Sequence, residues 1–382
     1  MRKAAVLALT FLSAPVWAAV LPFDLAARTG GARSLAQGRP VGVVALQTQT
    51  ATQTTYRGEW TADTRNTWTD NDGEPRIQFN LRTVSGDSRW GFGVRLRELA
   101  GLPPAAVANM ANDVQFTWTR EAGTFRFTGS FDMGRGSGTY TFTPDQSFIN
   151  AMNGLGYRNL STDDLVRLAM IDVTTAHVRG LNQAGYTSLP LDDIVRTRIH
   201  RVTPQFIQDL AGVGYKNIDI ESLVRMGIHG ATAANIKALQ DAGIRGQSVE
   251  DVIRFRIHKV TPEFIRAMEQ RGYKSVPAED LVRMRIHKVT PEETDQLKAL
   301  GIAGMSVDQL VKFRIHKVTP EYIRAMREVG FQSATEDQLV RMRIHKVDAQ
   351  FVRHAREDGF ALQTPGEAID LAIHGPRWKR RR

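Results

Sequence analysis

Arg256-Ile257-His258-Lys259-Val260-Thr261-Pro262 returns unchanged at residues 285–291 and again at 314–320. Its histidine belongs to a longer series, His200, His229, His258, His287, His316, His345 and His374, at an unbroken interval of 29 residues. A fixed period of this length means stacked copies of one small supersecondary unit, and it assigns most of the repeated residues to the stacking itself.

The rest of the unit reads outward from the histidine. Gly156, Gly185, Gly214, Gly243, Gly272, Gly301, Gly330 and Gly359 form a second column, each followed by Tyr, Ile or Phe. A glycine and then a hydrophobe is a left-handed helix end with its packing contact. Upstream, Thr261-Pro262 supplies a capping hydroxyl and a proline at the first helical position, which starts a helix A. Downstream, Ser306 with Gln309, Thr335 with Gln338 and Thr364 with Glu367 have capping-box spacing, and Ser161 with Asp164 and Ser248 with Asp251 share it. That starts a helix B, which ends near the histidine. Two short amphipathic helices cannot bury their faces alone, so residues 143–374 are expected to stack as eight units of an α-solenoid. The first unit has Ile171 in the histidine column and the last has Gly375-Pro376 in place of Lys-Val, as capping repeats should.

Over residues 56–142 the period is two. Ile77, Phe79 and Leu81 alternate with Gln78, Asn80 and Arg82, and the pattern returns at Trp90 to Leu96, Val114 to Trp118, Phe125 to Phe131 and Tyr140 to Phe142. Turn residues separate the runs at 70–73, 85–87, 121–123 and 134–138. This predicts an antiparallel β-sandwich or barrel, interrupted by one helix over 103–110. Trp60, Trp68, Trp90 and Trp118 sit on alternating faces and read as core rather than as a platform for carbohydrate. The fold class is α+β in two domains, the β-domain followed by the solenoid.

Residues 1–18 have a basic start and a short apolar run, the pattern of a secretory signal peptide. Residues 19–55 are polar and low in hydrophobicity, a linker or arm with one short strand at 41–46. The net charge of +10 is spread along the chain except in the basic tail, 375–382. The chain has no cysteine, which excludes a disulfide framework and a catalytic thiol. It has none of the motifs of nucleophile elbows, zinc peptidases, phosphate loops or dinucleotide folds. No enzyme activity and no cofactor is expected.

On helix B a basic residue stands four before each histidine: Arg196 and His200, Arg225 and His229, Arg254 and His258, Arg283 and His287, Lys312 and His316, Arg341 and His345. Such pairs share a helix face, placed by a helical wheel away from Val282 and Ile286. As a ladder they are candidate binding residues for a polyanion or a pH-sensitive surface. They also have a structural reading, preferred here, in which a histidine at a helix C-terminus meets the dipole and bonds the next unit's backbone. Packed helices lie about 8–10 Å apart, too far for successive histidines to share one metal ion, so no metal site is expected. A second column, Arg198, Arg256, Arg285, Arg314 and Arg343, points to the apolar side, with acidic residues of helix A such as Glu263 or Glu321 as its expected partners.

The repeated Arg-Ile-His-Lys-Val-Thr-Pro-Glu unit with its glycine column resembles tandem repeats of bacterial exported proteins and of the tails of β-lactam-sensor-type membrane metallopeptidases. The resemblance covers residues 143–374 and implies an accessory or sensing role in the envelope, periplasmic or extracellular. Peptidase activity does not carry over, because His-Glu-x-x-His is absent. The expected partner is a protein or peptide. The second reading is an anionic polymer or anionic membrane surface held by the basic helix face and tail; nucleic acid is not expected.

Overall fold

The computed structural model describes residues 56–69, 75–83 and 89–375. The expected signal segment, the arm with the strand expected at 41–46, the turns expected at 70–73 and 85–87, the Trp68 side chain and the tail from 376 onward lie outside the described residues.

The alternating segments form one curled, seven-stranded antiparallel sheet, an open half-barrel. Its strands are β1 (Tyr56–Thr69), β2 (Pro75–Thr83), β3 (Arg89–Arg95), β4 (Leu99–Ala100), β5 (Ala111–Arg120), β6 (Gly123–Asp132) and β7 (Arg135–Pro144), in the order β3-β2-β1-β7-β6-β5-β4. A short helix α1 (Pro104–Ala108) lies between β4 and β5, where proline starts a turn the sheet cannot use. Trp60 and Trp118 are buried and Trp90 is half-buried.

Trp60 organises the concave face. It pairs with Leu81 on β2 and with Gly138 on β7, meets Phe116 and Phe127 edge-on at 5.4 and 6.0 Å, and donates from Nε1 to the Thr128 carbonyl at 3.2 Å. A Cβ on Gly129, Gly136 or Gly138 would lie within 2.8 Å of its indole. The glycine-rich stretch at 134–138 therefore serves packing. Met133 and Gly134, both at positive φ, make the two-residue hairpin turn between β6 and β7, and the next two glycines make room for the ring.

Eight helix pairs follow: α2 (Gln146–Gly154) with α3 (Thr162–Ile171), α4 (Thr175–Gln183) with α5 (Leu191–Ile199), α6 (Pro204–Gly212) with α7 (Ile220–His229), and α8 (Ala233–Asp241) with α9 (Val249–Ile257). Then come α10 (Pro262–Glu269) with α11 (Ala278–Ile286), α12 (Pro291–Ala299) with α13 (Val307–Ile315), α14 (Pro320–Glu328) with α15 (Glu336–Ile344), and α16 (Ala349–Glu357) with α17 (Pro365–His374). Thr203, Thr261, Thr290 and Thr319 cap the A helices, and full capping boxes form at Ser161, Ser306, Thr335 and Thr364. The glycine column has positive φ throughout, as its place after helix A requires. Helix B ends differently. The residue after the histidine, Lys288 for example, takes the left-handed conformation at φ 56°, and the buried Val289 returns its N–H to the Met284 carbonyl at 2.8 Å. This is a Schellman end without glycine, held by the burial of the valine.

The sheet is not separate from the solenoid. One buried cluster runs from Trp60 and Phe79 through Phe148 and Leu165 to Val195, so the first two units close the sheet's core. Glu121 fixes the joint by accepting from the Thr175 N–H, at 3.1 and 3.2 Å, and from its hydroxyl. Asp172 binds Arg198 at 2.7 Å and faces Arg120 at 3.7 Å, and Arg120 is also paired with Glu98.

Candidate functional site

Helix B places three kinds of side chain at the end of each unit, and neighbouring B helices pack directly on one another. The first column is that of the expected basic residues, extended one unit back to Arg167. Arg167 reaches Asp192 at 2.5 Å, Arg196 reaches Glu221 at 2.6 Å, Arg225 reaches Glu250, Arg283 reaches Asp308 and Lys312 reaches Asp337, the last three at 2.8 Å. Each acid lies 25 residues on, one unit further and one helical turn back, in the first turn of the next B helix, where the macrodipole favours it. Arg254 turns to Asp251 of its own helix at 3.8 Å. Arg341 has Gly366 at the corresponding place and no ion pair among the described residues. The ladder is thus a line of inter-unit fasteners. The inter-unit pairs are well over a third exposed on one or both sides, so solvent screens them and each fastens its units only weakly.

The second basic column caps helix ends. Arg256, Arg314 and Arg343 donate from Nε to the carbonyls of His229, His287 and His316 in the preceding unit, at 3.4, 3.1 and 3.3 Å. The guanidiniums rest on whatever helix A offers at its third position. Arg285 lies over Phe264 at 4.9 Å, Arg343 over Tyr322 at 4.8 Å, and Arg314 pairs with Glu293 at 3.1 Å. Burial raises the Glu293 pKa in spite of that partner. The expectation of helix A acids as partners holds at Glu293. It fails at Glu321, which pairs with Arg324 of its own helix, and at Glu263, which has no ion pair among the described residues; aromatic faces and backbone carbonyls do that work instead.

His200, His258, His287, His316 and His345 are the C-terminal caps of their B helices, while His229 and His374 are the last helical residues, before Gly230 and Gly375. Rings from His200 to His345 are half-buried and make no hydrogen bond or ion pair among the described residues. The inter-unit bond expected of the ring is made by the backbone carbonyl instead. Burial and the nearby Arg196 charge hold His200 below its usual pKa. The ladder does bring Arg and His side by side, but with most of the cations neutralised.

The isoleucine before each histidine corrects the helical-wheel reading. Ile286 is 47% exposed, and Ile199, Ile228, Ile257, Ile315, Ile344 and Ile373 range from 44 to 52%. These seven are all but two of the large exposed hydrophobics among the described residues, the others being Met110 and Met133. Scattered exposed apolar residues need no explanation, but here the same half-exposed isoleucine recurs once in each unit from the second to the eighth. Beside it run Arg201, Lys259, Lys288, Lys317 and Lys346, exposed and without ion pairs among the described residues. Between units five and seven the row borders a groove of about 470 Å³ lined by Ile286, His287, Lys288, Arg314, Lys317, Thr319, Tyr322 and Arg343. No carboxylate lines it.

Sequence reasoning also passed over His177, which stands outside the histidine column. It is buried between α4 and α5, with Nε2 3.0 Å from the Thr197 hydroxyl oxygen. Comparison with family models and with curated proteins finds no match for this chain.

Proposed function

We propose that this chain is a non-enzymatic protein of the bacterial envelope, exported by its N-terminal segment, whose helical-repeat scaffold binds a protein or peptide partner in an accessory or sensing role. The row of seven half-exposed isoleucines carries this reading. Most other repeated features of the unit have a stacking duty: the capping hydroxyls, the glycine, the valine, the arginine that caps the preceding helix and the inter-unit ion pairs. The isoleucine has none that needs its size and exposure. Neutralisation of most of the Arg and Lys ladder by next-unit carboxylates weighs against a polyanion or membrane surface as the primary ligand of that face.

The triple variant Ile257→Ser, Ile286→Ser, Ile315→Ser tests it. Three exposed substitutions change stability by a few tenths of a kcal/mol each, so the full-length variant melts within a few degrees of wild type. The protein captured from envelope extract by wild type is then absent from the variant's eluate. Undiminished capture by a folded variant contradicts the reading.

A further inference from the structure

The spacing of the row says what kind of segment fits it, given that the row is the docking surface proposed above. Adjacent B helices pack side by side, so successive isoleucines repeat at the interaxial distance of packed helices, about 8–10 Å. A β-strand presents same-face side chains about every 6.6–6.8 Å, out of step with the rungs from the second onward. A polyproline II segment has three residues per turn and rises about 3.1 Å per residue, so its same-face side chains recur about every 9.3 Å. An α-helix comes near the spacing only at every second turn, about 10.8 Å, beyond the upper end of the rung spacing. The charge of the groove supplies the second constraint. Lys288 and Lys317 line it beside Arg314 and Arg343, with no carboxylate in the lining.

We infer that the ligand is an acidic polypeptide segment in the polyproline II conformation, one triplet per repeat, with an apolar side chain on each isoleucine and a carboxylate toward each lysine. Its concave seat favours an extended chain over a flat bilayer. Binding such a segment also loses little chain entropy, because the conformation is preformed.

The test uses the full chain and four labelled peptides: (Glu-Pro-Leu)6, its composition-matched permutation (Glu-Leu-Pro-Leu-Glu-Pro)3, (Lys-Pro-Leu)6 and (Glu-Pro-Ser)6. Fluorescence anisotropy is expected to show the first binding at least tenfold more tightly than each of the others. The triple Ile→Ser variant and, separately, Lys259→Glu, Lys288→Glu, Lys317→Glu each lose that preference. Equal binding of the first two peptides, no binding of any at millimolar concentration, or binding only to phosphatidylglycerol vesicles overturns the inference. Isoleucine-dependent capture with no peptide preference removes only the conformational class. Loss of both removes the docking surface itself.

Discussion

Replacing Gly138 with valine is expected to destabilise the chain by about 2–6 kcal/mol. Gly138 on β7 faces Gly129 on β6, and an added Cβ would lie 2.6 Å from the Gly129 Cα and 2.8 Å from Trp60 Nε1, with the Thr128 carbonyl closer still. Two of those atoms are backbone and the third belongs to an indole packed on all sides, so nothing flexible can give way. Overpacking of this kind costs about 1–3 kcal/mol or more. Displacing Trp60 also breaks its bond to the Thr128 carbonyl and strands a buried donor, about 1–3 kcal/mol further. Native domains are stable by about 5–15 kcal/mol, so the sheet and the two units sharing its core should lose much of their margin. Denaturant melts followed by tryptophan fluorescence measure this. Gly212→Ala in α6 is the control, since nothing lies within 4 Å of its added Cβ and it should be neutral or slightly stabilising. An unshifted midpoint for the valine variant would show that Trp60 does not sit in this cradle.

The second large effect is a pH dependence centred on His177. The Thr197 hydroxyl donates to the Ile194 carbonyl at 2.7 Å, so His177 Nε2 carries a proton and is the donor in their 3.0 Å bond. Burial first, and the Arg198 charge second, lower its pKa from 6.5 to about 4. An unfolded chain still takes up the proton at pH 6.5. The stabilisation from this neutral ring is therefore complete above about pH 6.5, declines as the pH falls toward 4, and is gone below it, about 3 kcal/mol in all. Phe148, Phe206 and Phe264 occupy the same place in other A helices, so His177→Phe should fold. Wild type is expected to lose about 3 kcal/mol more than this variant between pH 7 and pH 4. Stabilities that differ by a constant amount across that range would mean the ring is hydrated.

The period of 29 made the solenoid legible because each stacking duty falls on a residue type with one plain use: threonine and proline to start helix A, glycine to end it, serine or threonine with an acid or amide to start helix B. The ion-pair ladder was half legible. Arg283 and His287 were visible as a pair, but the partner Asp308 lies 25 residues away, a separation that becomes a contact only once the stacking register is known. Ile286 misled because helical periodicity places it under Val282, which is buried. Helix B ends at Ile286, and beyond it the chain opens onto the groove toward Arg314 and Tyr322, so no neighbouring unit covers it. His177 gave no signal at all, since its partner is 20 residues away, at no repeat spacing. In the sheet, alternation gave the strands. The cradle of Gly129, Gly136 and Gly138 around Trp60 required the β1–β7–β6 order, which short-range pattern does not encode.

Site-specific photo-crosslinking in intact cells tests the central claim most directly. With a benzophenone amino acid at Ile257, Ile286 or Ile315, the account predicts covalent adducts to one and the same polypeptide. None should form from Gln270 or Lys274, which are exposed at the opposite end of the unit. Adducts from the control positions alone, or from none of the isoleucines, would contradict it.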